Sequence, residues 1–117
     1  MAYVDGFVIP IPKKNVKAYK KMAQLGCKTW MKYGALSYYE CVGDDLKTKM
    51  GLPFSKMCKL KGGETVVFAF IVFKSKAHRN QVNKKVMAYF DTMAGEMPMP
   101  FDLKRFAYGG FKVMVQD

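Results

Sequence analysis

Polar and apolar residues along this chain change period several times, and each change marks an element. Tyr3-Val4-Asp5-Gly6-Phe7-Val8-Ile9 reads as a strand that Pro10 and Pro12 end. From about Lys13 to Tyr33 the spacing becomes helical. Val16, Tyr19, Met22, Ala23, Gly26, Cys27, Trp30 and Tyr33 fall on one side of the wheel, and Gly34 supplies a stop. Leu36 to Val42 alternates again, with Leu36, Tyr38, Glu40 and Val42 pointing one way and Ser37, Tyr39 and Cys41 the other. A long basic stretch, Leu46 to Gly63, has no regular period and carries Pro53 and Gly62-Gly63. Thr65 to Phe73 is a strand that is apolar on both faces. Ser75 is placed to cap a second helix running to Phe90, with His78, Val82, Val86 and Tyr89 inward. A Met/Pro-rich connection, Asp91 to Asp102, leads to a last strand, Arg105 to Val115. Gly109-Gly110 in its middle predict a bulge or a close backbone approach.

The order β-α-β-β-α-β is the split βαβ arrangement, so the chain is read as one α+β, ferredoxin-like domain over 1–117. Its strand order would be 4-1-3-2 in a four-stranded antiparallel sheet with both helices on one face. The doubly apolar third strand then needs cover on the other face, and a second copy of the sheet supplies it. A homodimer is therefore expected.

Composition narrows the functional classes. The apolar content of 50% excludes global disorder. The longest apolar run, Val66 to Phe73, falls well short of the ~20 residues that span a bilayer. Asp5 and Gly6 interrupt any signal-peptide pattern at the N-terminus. Cys27, Cys41 and Cys58 are odd in number and widely spaced, which points to reduced thiols and a cytoplasmic protein. His78 is the single histidine, so no metal site is expected. Gly62-Gly63 and Gly109-Gly110 are isolated pairs without a phosphate-binding pattern, and no cofactor is implied.

The net charge is +11, and only Arg79 and Arg105 among the 20 basic residues are arginine. Lys13, Lys14, Lys17, Lys20, Lys21, Lys28 and Lys32 share an arc of the first helix with no acidic residue among them. A solvated face accounts for them. Docking of RNA or another nucleic acid on Lys14, Lys17, Lys21, Lys28 and Lys32 by counterion release is the alternative. The scarcity of arginine and of interleaved aromatic residues weighs against it.

Several segments resemble the YbaA-like bacterial proteins, a family of unknown function. They are Tyr-Val-Asp-Gly-Phe-Val at 3–8, Glu-Cys-Val-Gly-Asp-Asp at 40–45, Glu-Thr-Val-Val-Phe at 64–68, Ala-His-Arg at 77–79, Val-Asn-Lys-Lys-Val-Met at 82–87, Met-Pro-Phe-Asp at 99–102 and Tyr-Gly-Gly-Phe at 108–111. The resemblance spans nearly the whole chain. It implies a dimeric α/β barrel built from two ferredoxin-like sheets.

The expected topology gathers candidate chemistry at two edges. Tyr3, Asp5 and His78 come toward one, with Lys112 opposite Asp5. A carboxylate on a central strand needs a partner, which His78 or Lys112 would provide. An Asp-oriented imidazole could serve as a general base, or the two could simply tie sheet to helix. Glu40, Asp44, Asp45 and Arg105 gather toward the other edge, as a salt-bridge cluster closing the long loop or as an anion clamp on Arg105. A Cys41–His78 nucleophilic pair would lack an orienting third group. Trp30, Tyr19 and Tyr33 read as core. Two functions follow: a small-molecule site in the cleft between sheet and helices, in a possible cofactor-independent enzyme, with Asp5 and His78 catalytic and Tyr38 and Tyr108 in its wall; or the nucleic-acid module above.

Overall fold

In the computed structural model, which describes residues 1–93 and 99–117, the chain runs β1 (Tyr3–Pro12), a 3-10 turn (Lys13–Asn15), α1 (Val16–Lys32), β2 (Ser37–Val42), α2 (Phe54–Met57), β3 (Glu64–Phe73), α3 (Lys76–Thr92) and β4 (Ala107–Lys112). The strands form one antiparallel sheet in the order β2-β3-β1-β4, as the pattern predicts. Part of the Met/Pro-rich connection expected over 91–102 lies outside the described residues, and its first two residues extend α3 instead. No helix among the described residues is long and apolar enough to cross a membrane.

One boundary differs for a clear reason. β1 does not end at its prolines but runs through them, pairing Pro10 with Val66 and Pro12 with Glu64. The Lys13 amide donates to the Gly63 carbonyl across the β3 side. Strand alternation therefore turns the nitrogens of Pro10 and Pro12 to the opposite edge. β4 pairs with β1 only as far as Val8, so that edge needs no amide donor and proline costs nothing there.

The helices end and begin as their residues dictate. After α1, the Gly34 amide donates to the Met31 carbonyl and the Ala35 amide to that of Trp30. This closure needs a left-handed residue, and Gly34 has φ +115°. The Ser75 hydroxyl accepts from the His78 amide at 3.0 Å and caps α3.

Both long helices lie on one face of the sheet. Ile9, Ile11, Val67 and Ala69 pack against Tyr19 and Ala23 of α1. Ile71 and Phe73 pack against Val82 and Val86 of α3. The opposite face carries Val4 and Val8 of β1, Phe68, Phe70 and Val72 of β3, Tyr39 of β2 and Phe111 of β4, which the strand registers place side by side. Tyr39 stacks on Phe70 with centroids 4.9 Å apart. Phe68, Tyr39 and Phe111 are 45%, 55% and 60% exposed in the single chain, so this face is apolar and uncovered at its centre.

Candidate functional site

Glu40 occupies the middle of β2, opposite Ala69 of β3, and points under α1. The small partner leaves room beside the carboxylate. Tyr19, one turn into α1, donates its hydroxyl to Glu40 Oε1 at 2.6 Å, and Tyr38, two residues earlier on the same strand face, donates to Oε2 at 2.6 Å. Burial, reinforced by the bond to Glu40 and its charge, pushes both phenols above their ordinary range, so both keep their protons. Gly26 makes the approach possible: a Cβ there would stand 2.9 Å from the Tyr38 hydroxyl.

These three residues border a cavity of about 280 Å³ between α1 and the sheet. Its floor is Phe7, Ile9, Ala69 and Ile71, and its remaining wall is largely aromatic, with Trp30, Phe90, Phe101 and Phe106. Trp30 turns its ring to the cavity while its Nε1–H donates to Asn83 Oδ1 on α3 at 2.9 Å. A more open groove of about 400 Å³ lies along the outer edge of α1 and β2, past Lys20, Cys27 and Cys41, and touches the same Tyr19, Tyr38 and Glu40. Tyr108 lies outside the cavity lining but stacks on Phe7, 5.7 Å between centroids, and supports the floor.

Asp5 is buried on the same sheet face, but its partners are not those expected. Arg79 Nε stands 3.4 Å from Asp5 Oδ1, and Asn83 Nδ2 donates to Oδ2 at 3.3 Å. The guanidinium also donates to the Tyr3 hydroxyl at 3.0 Å and lies over the Tyr3 ring. His78 turns away: its Nδ1 accepts the Lys74 amide at 3.0 Å and its ring meets Phe73 edge-on. Lys112 pairs with Tyr3, and Gly110 is the residue opposite Asp5. A Cβ on Gly110 would run into the Tyr3 hydroxyl and Arg79 Nη2, so of the glycine pair it is Gly110 that makes a close approach, while a Cβ on Gly109 would reach the Phe111 ring only at 4.0 Å. The structure thus joins Asp5 to neither His78 nor Lys112, and this cluster fastens α3 to the sheet.

Arg105 is likewise not beside Glu40, Asp44 or Asp45. It donates to Glu64 Oε2 at 2.7 Å and to the carbonyls of Cys58 and Lys59, closing the 46–63 loop against the start of β3. The bond from Arg105, with the Lys61 amide, holds the Glu64 carboxyl down at about 2. A depressed carboxyl stabilises the fold above its unfolded value, 4.5, and that contribution fades as pH falls from there toward 2. Melting temperatures of the wild type and Glu64→Gln are therefore expected to differ at pH 6 and to converge by about pH 2. A constant gap across that range would contradict the clip.

Cys41 sits on the outer sheet face opposite Phe68, whereas His78 belongs to a helix on the other side, so the structure does not bring them together. Lys14, Lys17, Lys21, Lys28 and Lys32 are all exposed along the outside of the α1 segment. No aromatic residue of α1 is exposed beside them, and both arginines are committed to carboxylates. Among the described residues no group of three or more His, Cys, Asp or Glu gathers as a metal site.

Sequence reasoning missed Arg79, Asn83 and the Tyr19–Glu40 bond. A signal for the first two was present: Arg79 and Asn83 are four apart, one position round the wheel from His78 and Val82, a polar stripe flanking the buried one. The helical spacing places Tyr19 in the core but gives no partner for its hydroxyl.

The sheet order and the helix-covered face define an α+β protein of the ferredoxin-like kind. Residues 2–103 match the family described as "Protein of unknown function (DUF1428)", and the chain belongs to that family. It is 35% identical over 117 residues, all of both chains, to the protein described as "Uncharacterized protein YbaA" of Escherichia coli K12, and equally to that of Shigella flexneri. Among solved structures it resembles a dimeric ferredoxin-like protein from an uncultured marine organism, with a TM-score of 0.57, 14% identity and full coverage of both chains. At that identity the likeness speaks for the fold.

Proposed function

We propose that this protein is a homodimer whose subunits each bind a small organic molecule in the cavity between α1 and the sheet. The observation that carries the binding reading is an apolar, aromatic-walled space of about 280 Å³ with the Glu40 carboxylate at its edge. Pre-formed apolar pockets with a few convergent polar groups are the usual form of small-molecule sites. What supports the dimer is the uncovered face around Phe68 and Phe70, together with the dimeric description of the marine relative in fold. Charge alone favours a polyanion on the lysine face, and cavity geometry outweighs it.

Trp30 is the only tryptophan and forms part of the cavity wall, so its fluorescence reports occupancy directly. A panel of ring-containing molecules of about ten heavy atoms is expected to give saturable changes in Trp30 emission, at micromolar to millimolar concentrations. Ala23→Leu, which fills the space from α1, is expected to weaken binding by about tenfold or more while circular dichroism stays unchanged. Absence of any saturable change across the panel, or equal binding by the filled variant, would reject the site.

A further inference from the structure

The polar groups around this cavity share one property. Among the described residues, three in the lining carry a side-chain donor: Tyr19, Trp30 and Tyr38. All three donors are already used, the two hydroxyls by Glu40 and the indole N–H by Asn83. What the described side chains offer the cavity is then acceptors alone: the remaining lone pairs of the Glu40 carboxylate and the oxygens of the two phenols. Asn83 is itself held by Asp5, so the indole is not free to turn its N–H inward.

Charge points the same way. The chain carries a net +11, yet among the described residues no Lys, Arg or His lines the cavity itself, Lys20 bordering only the outer groove, and Glu40 is the one charged side chain in the described lining. An anionic ligand would meet a carboxylate with no donor to offset it, and a neutral acceptor such as a ketone would be left unpaired. An ammonium meets a counter-charge, phenol acceptors and aromatic faces that attract a cation. On these grounds, and resting on the small-molecule reading above, we propose that the ligand is an organic amine, bound as its ammonium against Glu40 with an apolar or aromatic body in the cavity. A cavity near 150 Å³ holds a benzene ring. About 280 Å³ therefore suits a ring with a short amine-bearing chain.

Three probes of nearly equal size separate the possibilities: 2-phenylethylamine, 2-phenylethanol and phenylacetate, titrated at pH 7 into the full chain by calorimetry and Trp30 fluorescence. The amine is expected to bind about tenfold or more tighter than the alcohol, and the acid most weakly. Glu40→Gln is expected to lower amine affinity by about tenfold while changing that of the alcohol by less than about threefold. Alcohol or acid binding as tightly as amine would overturn the amine assignment and leave the cavity reading standing. No binding of any probe at millimolar concentration would overturn the amine assignment, and only failure of the wider panel would reach the cavity itself. The ranking on the wild-type chain decides the matter even if Glu40→Gln does not fold.

Discussion

Replacing Asp5 by alanine is expected to destabilise the fold by about 3 kcal/mol, a fall of about 10 °C in melting temperature for a domain of this size. Asp5 is 4% exposed on a central strand. Its removal strands the Arg79 guanidinium, whose side chain is 22% exposed and has no other carboxylate in contact among the described residues. That partial access to water places the loss at the lower end of the range for a broken buried pair. It also takes from Asn83 the acceptor that holds it against Trp30, so the cavity wall loosens with the core. Asp5→Asn keeps an oxygen for Asn83 and is expected to cost less. The double variant Asp5→Ala, Arg79→Met removes both charges and is expected to recover part of the loss, because most of the penalty comes from the orphaned cation. A melting temperature for Asp5→Ala within about 2 °C of the wild type would show that the ion pair contributes little to stability.

The same cluster shows where the sequence is legible and where it is not. Alternation along 65–73 and the helical spacings fix which face each residue takes, and the observed sheet order follows from the element order. Periodicity does not say how far a long side chain reaches. His78 lies on the inner face of α3 as the wheel indicates, but Arg79, one position round, has the length to cross Gly110 and meet Asp5. The prolines of β1 misled for a related reason. Whether a strand tolerates proline depends on whether a neighbour needs its amide, and only the early end of the β4 pairing settles that. Glu40 stands out in the sequence as a candidate, but its two donors come from a helix 21 positions earlier and from its own strand face. Much of the aromatic wall, Phe101 and Phe106 included, comes from the connection into β4, where no period exists to read.

Phe68→Asp is expected to convert the proposed dimer to single chains, raising its dissociation constant by about three orders of magnitude. Phe68 lies at the centre of β3 on the uncovered face, flanked in register by Val8 and Cys41. From Val66 to Val72 that face carries no charged residue on β3 or on the strand positions paired with it. In one chain the substituted carboxylate sits at a position already 45% exposed and stays wet, so circular dichroism should be unaltered. Across a two-fold axis it would be buried twice with no cation to meet it. Sedimentation velocity at tens of micromolar is the direct measurement, and a wild type that sediments as one chain there would end the proposal. Salt offers an independent check. Two chains of charge +11 repel, so the attraction has to come from the apolar face, and screening weakens the repulsion alone. The wild-type dimer is therefore expected to tighten as salt is raised, whereas an interface held by ion pairs would loosen.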